Sequence, residues 1–354
     1  MNETDYIIVG QGICGTLLSW LLIREGKKVM VIDEYRQYSS GMVASGLINP
    51  VTGMRVAKSW MIDEMLPYAD ALYPEIEKDL GIDFYTKYDL LEFHPTIQVR
   101  DTYTEKILQH ADYLHQYAYD DNWMQTCNFH YGISAISGCR VVDMRKLQLA
   151  WRERLKAAGN LLEGKFDITQ CNVATDKITY KDIEAKKIIF CDGSAALHNP
   201  YFSLLPFALN KGEVLIARIP GLPRTHILKF GLKIVPWEDD LFWIGSSFDW
   251  KYNDLNPSEP FRARTEAQLK QWLKIPYTTE HHWASERPTT VDHKPFAGFH
   301  PSHPAVGMLN GMGAKGCSQA PYFANSIAQH LINGTPLNAE ADIKRYTRIL
   351  SRTV

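Results

Sequence analysis

The sequence predicts an α/β fold joined to a second domain of the α+β class that contains an antiparallel sheet. Three observations carry this prediction. A strand, a glycine-rich turn and a helix follow one another at the start of the chain, and a similar junction recurs near its end. Two segments between these junctions are rich in aromatic residues and hold short apolar runs typical of antiparallel strands. The repeated junction is typical of α/β domains that bind nucleotides.

The first junction begins with an apolar run at residues 6–9 and continues as Gly10-x-Gly12-x-x-Gly15. Leucines at helical spacing follow, and a second apolar strand ends at Asp33. In such a unit Gly10 allows the tight turn, Gly12 lets backbone approach a pyrophosphate, and Gly15 lets the helix pack close to the strand. A turn without a ligand is the alternative, but the flanking strand and helix favour a dinucleotide-binding unit.

Four further residues of this unit are candidates for contact with the dinucleotide. The N–H groups of Ile13 and Cys14 lie at the positive end of the helix, where phosphates bind. Asp33, 23 residues after Gly10, is placed to accept hydrogen bonds from a ribose 2′-hydroxyl, and Glu34 lies beside it. A carboxylate there disfavours NADP. The motif alone leaves both FAD and NAD open.

The α/β pattern continues beyond this unit. Ser45 and Gly46 belong to a small-residue segment, residues 39–50, that allows backbone to run close to a flat ligand. An amphipathic helix is predicted over residues 147–158, a strand over 161–168, and another strand over 187–191 that leads into Gly193.

Aromatic residues mark the second domain. Residues 83–131 contain eleven aromatics in 49 positions, and residues 230–250 contain six more, some in strand-like runs such as residues 241–245. We expect most of them to pack within an antiparallel layer. Their concentration in two separated segments predicts that these segments assemble into one domain, so that both domains are discontinuous in sequence.

The second glycine junction lies about 300 residues after the first. A strand over residues 306–309 is followed by Gly311-x-Gly313-x-x-Gly316, and a helix is predicted from near Pro321 to Asn333. Two such junctions fit one long ligand held at both ends. A helix N-terminus at the far end stabilises negative charge on a reduced flavin, which favours FAD over NAD.

Composition limits the remaining classes of protein. The 354 residues carry 38 Lys and Arg against 40 Asp and Glu, a net charge of -2, so we expect no nucleic-acid partner. The six cysteines show no zinc-type spacing, so we expect reduced thiols, no metal site and a cytoplasmic protein. Glycines interrupt the apolar stretch at residues 6–23, and we therefore expect neither a signal peptide nor a membrane partner.

Taken together, the motifs resemble the D-amino-acid oxidase superfamily of FAD-dependent oxidoreductases, and within it the glycine oxidase and sarcosine oxidase type. The residues that carry the resemblance are Gly10, Gly12, Gly15, Asp33, the segment 45–48, the segment 191–193, Arg287-Pro288, Asp292-x-x-Pro295-x-x-Gly298, Gly311, Gly313 and Gly316. The resemblance implies a glutathione-reductase-type Rossmann FAD-binding domain, residues 1–82, 140–205 and 285–354. The substrate domain, residues 83–139 and 206–284, would hold the antiparallel sheet.

The resemblance also implies roles for single residues. Phe166 lies where relatives contact the adenine through backbone, Arg287 where they pair with a substrate carboxylate, and Lys315 where they hold a carboxylate-binding lysine. Trp243 stands roughly where sarcosine oxidases have an oxygen-activating lysine, so the electron acceptor is either oxygen or another molecule. Since no cysteine falls at the tethering position, we expect noncovalent FAD.

The function implied is oxidation of the C–N bond of a small amino acid or secondary amine, by hydride transfer to flavin N5. A neutral amine needs no acid–base dyad because its lone pair helps to expel the hydride, whereas a planar guanidinium suits the anchoring of a carboxylate. Two alternatives remain: an FAD enzyme of tRNA wobble-uridine modification, and a flavin-bound binding protein without catalysis.

Overall fold

The structure is a computed structural model that describes residues 2–53, 55–109 and 112–352. The strands are β1 (Asn2–Val9), β2 (Val29–Asp33), β3 (Leu47–Ile48), β4 (Val51–Thr52), β5 (Ala57–Lys58), β6 (Tyr85–Phe93), β7 (Leu114–Gln116), β8 (Ile133–Val142), β9 (Leu161–Glu163), β10 (Cys171–Val173), β11 (Ile178–Tyr180), β12 (Ile183–Phe190), β13 (Asn210–Arg218), β14 (His226–Phe230), β15 (Leu232–Pro236), β16 (Leu241–Gly245), β17 (Thr278–Arg287), β18 (Phe296–Phe299) and β19 (Val306–Asn310). The helices are α1 (Ile13–Arg24), α2 (Ser40–Val43), α3 (Ile62–Leu80), α4 (Ile97–Gln109), α5 (Asp121–Thr126), α6 (Met144–Ala157), α7 (Glu259–Trp272), α8 (Gly316–Asn333) and α9 (Thr347–Leu350).

The first sheet confirms the predicted α/β class. Its strands run in the order β10-β11-β12-β1-β2-β9, and β19 joins the end of β12 and carries β18 on its other edge. The pairs β12–β1, β1–β2, β2–β9 and β12–β19 are parallel. Helices α1, α3, α6 and α8 cover one face. Because parallel strands share a direction, the turns that follow β1, β12 and β19 meet at one edge of this sheet.

The second sheet is largely antiparallel, in the order β17-β13-β16-β15-β14-β6-β8-β3, with β7 paired to β8. One face packs an aromatic core beneath α5 and α7 that includes Phe93, Trp123, Phe242, Phe261 and Trp272. The two aromatic segments contribute to this one sheet: β6 and β7 come from residues 83–131, β15 and β16 come from residues 230–250, and β14 lies between β15 and β6. This mixed α/β architecture agrees with the predicted fold class. The predicted domain boundaries stay a prediction, and those at 139/140 and 284/285 fall inside β8 and β17.

Two predicted elements differ from the structure. The strand predicted over residues 161–168 ends at Glu163, because only β9 pairs with β2 and Gly164, with φ of 146°, turns the chain away. The last helix begins at Gly316 and not near Pro321. Pro321 has no N–H to donate within the helix, and the Cys317 carbonyl one turn earlier accepts a hydrogen bond from the Tyr73 hydroxyl at 2.8 Å.

Membrane-spanning helices are not found among the described residues, since none of their helices is long and apolar enough.

A methyl group added at Gly15 tests the close packing of α1 on β1. The new Cβ of Gly15→Ala would lie 1.9 Å from the Gly10 carbonyl oxygen, a backbone atom that cannot rotate away. We expect the free energy of unfolding to fall by about 1–3 kcal/mol, measured by urea denaturation of the flavin-free protein. Gly12→Ala is the control, because a Cβ there meets nothing within 4 Å. Equal stability of the two variants would contradict the packing described.

Candidate active site between the two sheets

A cavity of about 2040 Å³ lies between the two sheets. Small-molecule sites commonly span about 300–1,000 Å³, so this cavity has room for a long cofactor and a small substrate together. Its wall includes both glycine turns, the segment around α2, and the face of the second sheet opposite α7.

The first glycine turn is tightly packed at Gly10 and open to the cavity at Gly12. Gly10 has φ of 97°, and a Cβ there would lie 2.4 Å from the carbonyl oxygen of Cys191, which follows β12. By contrast, Gly12 faces open space in the cavity. Helix α1 begins at Ile13 with no side-chain cap and no acidic residue in its first turn. This uncapped positive end is suited to a phosphate group.

Asp33 is held in place at the end of β2. Its Oδ2 accepts a hydrogen bond from the Gln11 N–H at 2.9 Å, and its Oδ1 accepts from Arg152 at 2.7 Å and from the Tyr35 N–H at 2.8 Å. A carboxylate has about four acceptor positions, so about one remains for a ribose hydroxyl. Glu34 also borders the cavity. Sequence reasoning missed Arg152, since a lone arginine on an amphipathic helix carries no local signal.

The second glycine turn follows β19 and leads into α8, which also lacks a side-chain cap and a first-turn acid. Lys315 occupies the N-cap position and borders the cavity, and burial lowers the pKa of its ammonium group. Gly311 and Gly313 are closely packed, because a Cβ would lie 2.6 Å from Thr290 Cγ2 and 2.8 Å from Thr289 Oγ1 respectively. The positive ends of α1 and α8 therefore border one cavity.

Asn310 joins the turns that follow β12 and β19. Its Nδ2 donates to Asp192 Oδ1 at 3.0 Å and to the Gly193 carbonyl at 2.9 Å, and its Oδ1 accepts from the Gly311 N–H at 2.8 Å. Burial raises the pKa of Asp192 to about 6, although hydrogen bonds from Asn199 and Asn310 oppose the shift. This contact fixes the spacing of two turns that are far apart in sequence.

Arg287 lies at the end of β17, on the face of the second sheet that borders the cavity. Its guanidinium donates to Asn210 Oδ1 at 2.7 Å, to Ser246 Oγ at 2.9 Å and to the Ser247 carbonyl at 3.1 Å. It lies so close over Gly212 that a Cβ there would be 1.9 Å from Nη2. Burial lowers the pKa of Arg287 to about 10.

The described residues give Arg287 no carboxylate partner within ion-pair distance; Asp249 acts on it only through longer-range attraction. A half-buried guanidinium bonded only to neutral oxygens still favours an anion beside it. An acid group at this part of the cavity wall would satisfy that requirement.

Nearly all of the predicted site residues border this one cavity. They are Gly10, Gly12, Ile13, Cys14, Asp33, Glu34, Ser45, Gly46, Phe166, Gly193, Arg287, Gly311, Gly313, Lys315 and Gly316. Gly15 is the exception, because it packs against Gly10 beneath the turn. Trp243 also borders the cavity, and its indole N–H donates to the Val43 carbonyl at 2.9 Å.

This fold, with two glycine-rich strand-to-helix turns at one cavity, is typical of enzymes that bind a dinucleotide cofactor. A family model described as "DAO: FAD dependent oxidoreductase" matches residues 5–330. The chain belongs to this DAO family, and it is an FAD-dependent oxidoreductase.

Solved structures share the fold at low sequence identity. Glycine oxidase from Geobacillus kaustophilus superposes with a TM-score of 0.78 at 16% identity, covering 100% of both chains. Iminodiacetate oxidase from Chelativorans sp. BNC1 gives 0.76 at 17% identity, covering 97% of this chain and 98% of that chain. L-proline dehydrogenase from P. horikoshii gives 0.76 at 15% identity, covering 98% of each.

The residues present fit FAD. The space above Gly12 and the uncapped start of α1 suit a pyrophosphate, and the uncapped start of α8 lies at the same cavity. The cavity is also long enough to reach from Phe166 to Arg287 along its wall.

Removal of Arg152 tests how Asp33 is positioned. Arg152→Met leaves Asp33 without its buried charge-assisted hydrogen bond, so we expect about 1.5–3 kcal/mol less stability and weaker FAD binding. Equilibrium dialysis gives the FAD affinity and urea denaturation the stability. Arg154→Met is the matched control, because Arg154 is exposed on the same helix and its guanidinium, among the described residues, donates to the Asp79 carbonyl alone. FAD affinity equal to that of wild type would show that Asp33 needs no support from Arg152.

Proposed function

We propose that this enzyme oxidises the C–N bond of a small amino acid or secondary amine whose carboxylate is bound by Arg287. The observation that carries the proposal is the half-buried guanidinium of Arg287, which borders the cavity without a carboxylate partner among the described residues. The names of three proteins of the same fold, an iminodiacetate oxidase, a glycine oxidase and an L-proline dehydrogenase, agree with this substrate class.

When bound, FAD supplies an acceptor for hydride at N5. The task of the protein is then to place the substrate C–H bond against that acceptor. Asn210, Ser246 and the Ser247 carbonyl hold the Arg287 guanidinium on one side, which orients its remaining N–H groups for a carboxylate. The substrate would bind as the neutral amine, after its ammonium proton is lost to solvent. The nitrogen lone pair then helps to expel the hydride and leaves an iminium ion, so no base acts in the hydride transfer itself.

We propose that the cofactor lies along the cavity from the adenosine end to the second sheet. Its pyrophosphate would meet the first turn, its ribose Asp33 and Glu34, and its adenine the backbone near Phe166. The flavin would lie beside Ser45, Gly46 and the second turn, where Lys315 and the start of α8 stabilise negative charge. The residues proposed to contact the cofactor are Gly10, Gly12, Ile13, Cys14, Asp33, Glu34, Ser45, Gly46, Phe166, Gly193, Gly311, Gly313, Lys315 and Gly316. Gly15 acts indirectly, because it lets α1 pack beneath the first turn.

Noncovalent binding of FAD is part of this proposal. Cys14 and Cys317 both border the cavity, but burial raises the pKa of each thiol to about 12. Such thiols stay protonated and are poor nucleophiles. The described cysteines are free thiols, which also supports a cytoplasmic location. We retain the division into a discontinuous FAD domain and a substrate domain as a proposal.

Anaerobic titration of the purified holoprotein tests the proposal. Glycine, sarcosine, proline, alanine and aspartate are added in turn while the flavin absorbance near its visible maximum is recorded. We expect at least one of them to bleach the flavin completely and to yield the imine or its hydrolysis product. Re-oxidation by air, compared with an artificial acceptor, distinguishes an oxidase from a dehydrogenase. A flavin that stays oxidised with every amine would overturn the proposal.

Two substitutions test the anchor without touching the cofactor. Arg287→Ala removes the guanidinium, and Gly212→Ala displaces it, because the new Cβ would lie 1.9 Å from Nη2. Each should weaken apparent substrate affinity by about 10- to 100-fold, as loss of a charged hydrogen bond does, while FAD stays bound. Arg264→Ala, at an exposed position on α7, is the control. Wild-type affinity in both variants would remove Arg287 from the substrate site.

A further inference from the structure

A row of charged residues crosses the cavity-facing side of the second sheet. Gly245 on β16 lies directly opposite Lys233 on β15, Lys233 lies opposite Lys229 on β14, and Lys229 lies opposite Glu92 on β6. Directly opposite residues project from the same face of a sheet. All four of these strands therefore present this row to one side.

Arg287 projects from that same face. Val214 on β13 lies opposite both Trp283 and Gly245, which places Trp283 in the row. Arg287 comes four residues after Trp283 on the same strand, and alternate residues of a strand share a face. Glu92, Lys229, Lys233 and Arg287 all border the cavity.

Some charged side chains in this row form an ion pair, and others have no bonded partner among the described residues. Lys229 forms an ion pair with Glu92, whose side chain is only 5% exposed, and the Tyr103 hydroxyl donates to the Glu92 carboxylate at 3.0 Å. The described residues provide no hydrogen bond or ion pair to the Lys233 ammonium. Burial, together with repulsion from Lys229 and Arg287, lowers the pKa of Lys233 to about 8, although Glu92 opposes the shift. Two cations, Arg287 and Lys233, thus remain without a bonded counter-ion.

We propose that Lys233 forms a second acid-binding subsite beside Arg287, so that the enzyme takes amino acids that carry two carboxylates. This inference rests on the proposed function and names its substrate class. A monocarboxylate would neutralise one of the two cations, whereas a dicarboxylate neutralises both, and uncompensated charge is costly in a buried site.

The spacing of the two cations suits such a ligand. Arg287 reaches from β17 across β13 to Ser246, the residue that follows β16. Lys233 lies on β15, the strand next to β16, and neighbouring strands are about 4.8 Å apart. Arg287 is close enough to Lys233 to repel its charge, so one small ligand with two carboxylates could reach both groups. Thr102 and Tyr103 of α4 border the cavity close to Glu92 and close this end of the site.

Binding of non-reacting acids to the holoprotein tests the subsite. Malonate and acetate are titrated against the flavin visible absorbance to give dissociation constants for wild type, Lys233→Met, Lys233→Arg and Lys270→Met. We expect wild type to bind malonate at least about tenfold more tightly than acetate, Lys233→Met to lose that difference, and Lys233→Arg to keep it. Lys270 is exposed on α7, behind the sheet, so its variant should match wild type. Equal affinities in wild type, or a malonate preference that survives Lys233→Met, would overturn the subsite.

Matched amines separate this inference from the proposed function. Aspartate is compared with asparagine, and iminodiacetate with sarcosine, in anaerobic flavin bleaching. Bleaching by the monocarboxylates without any gain for the dicarboxylates would overturn the dicarboxylate class and leave amine oxidation standing. A malonate preference without bleaching by any amine would overturn amine oxidation and leave the acid subsite. Should Lys233→Met fail to retain FAD, Lys233→Gln replaces it in both assays, with the same outcomes expected.

Discussion

Cationic side chains that have no bonded counter-ion among the described residues are the feature on which the proposed site depends. The starts of α1 and α8 lack side-chain caps and first-turn acids, and Lys315, Arg287 and Lys233 add cationic side chains to the same wall. Positive charge in a medium of low dielectric constant is stabilised only by anions or hydrogen-bond acceptors close by. On the proposed function, the phosphates of FAD would supply such anions at one end of the cavity, and the acid group of a substrate would supply one at the other.

The backbone explains how residues so distant in sequence come to share that cavity. β1, β12 and β19 are parallel neighbours, so the turns after them lie at one sheet edge. Close backbone contacts then fix the spacing of these turns. Gly15 packs against the Gly10 carbonyl oxygen, and Gly10 packs against the Cys191 carbonyl oxygen. Asn310 donates hydrogen bonds to both Asp192 and Gly193. The second sheet adds a rigid wall, because α5 and α7 bury its other face in an aromatic core. The positions of the acid-binding groups are thus set by two stiff sheets.

Much of the first sheet could be predicted from sequence because its signals are local. The glycine spacing, the apolar strands and the acid at Asp33 all lie within 30 residues of one another. Arg152 and Lys233 could not be found in this way, since their neighbours come from distant segments of the chain. The position of Lys233 at the cavity follows only from the strand register that places it opposite Lys229 and Gly245. The start of α8 also depends on a distant residue. The Tyr73 hydroxyl donates to the Cys317 carbonyl, which Pro321 cannot do, so the helix can begin before the proline. Family resemblance, and not spacing, pointed to Arg287.

On the proposed function, the protein holds an amino acid by its carboxylate so that the carbon–hydrogen bond next to nitrogen is the bond that breaks. Stopped-flow mixing of the anaerobic holoprotein with a substrate deuterated at that carbon, compared with the unlabelled compound, measures this directly. We expect the label to slow flavin bleaching by a primary isotope effect at saturating substrate. Identical bleaching rates for the two compounds, with binding shown to be fast, would contradict it.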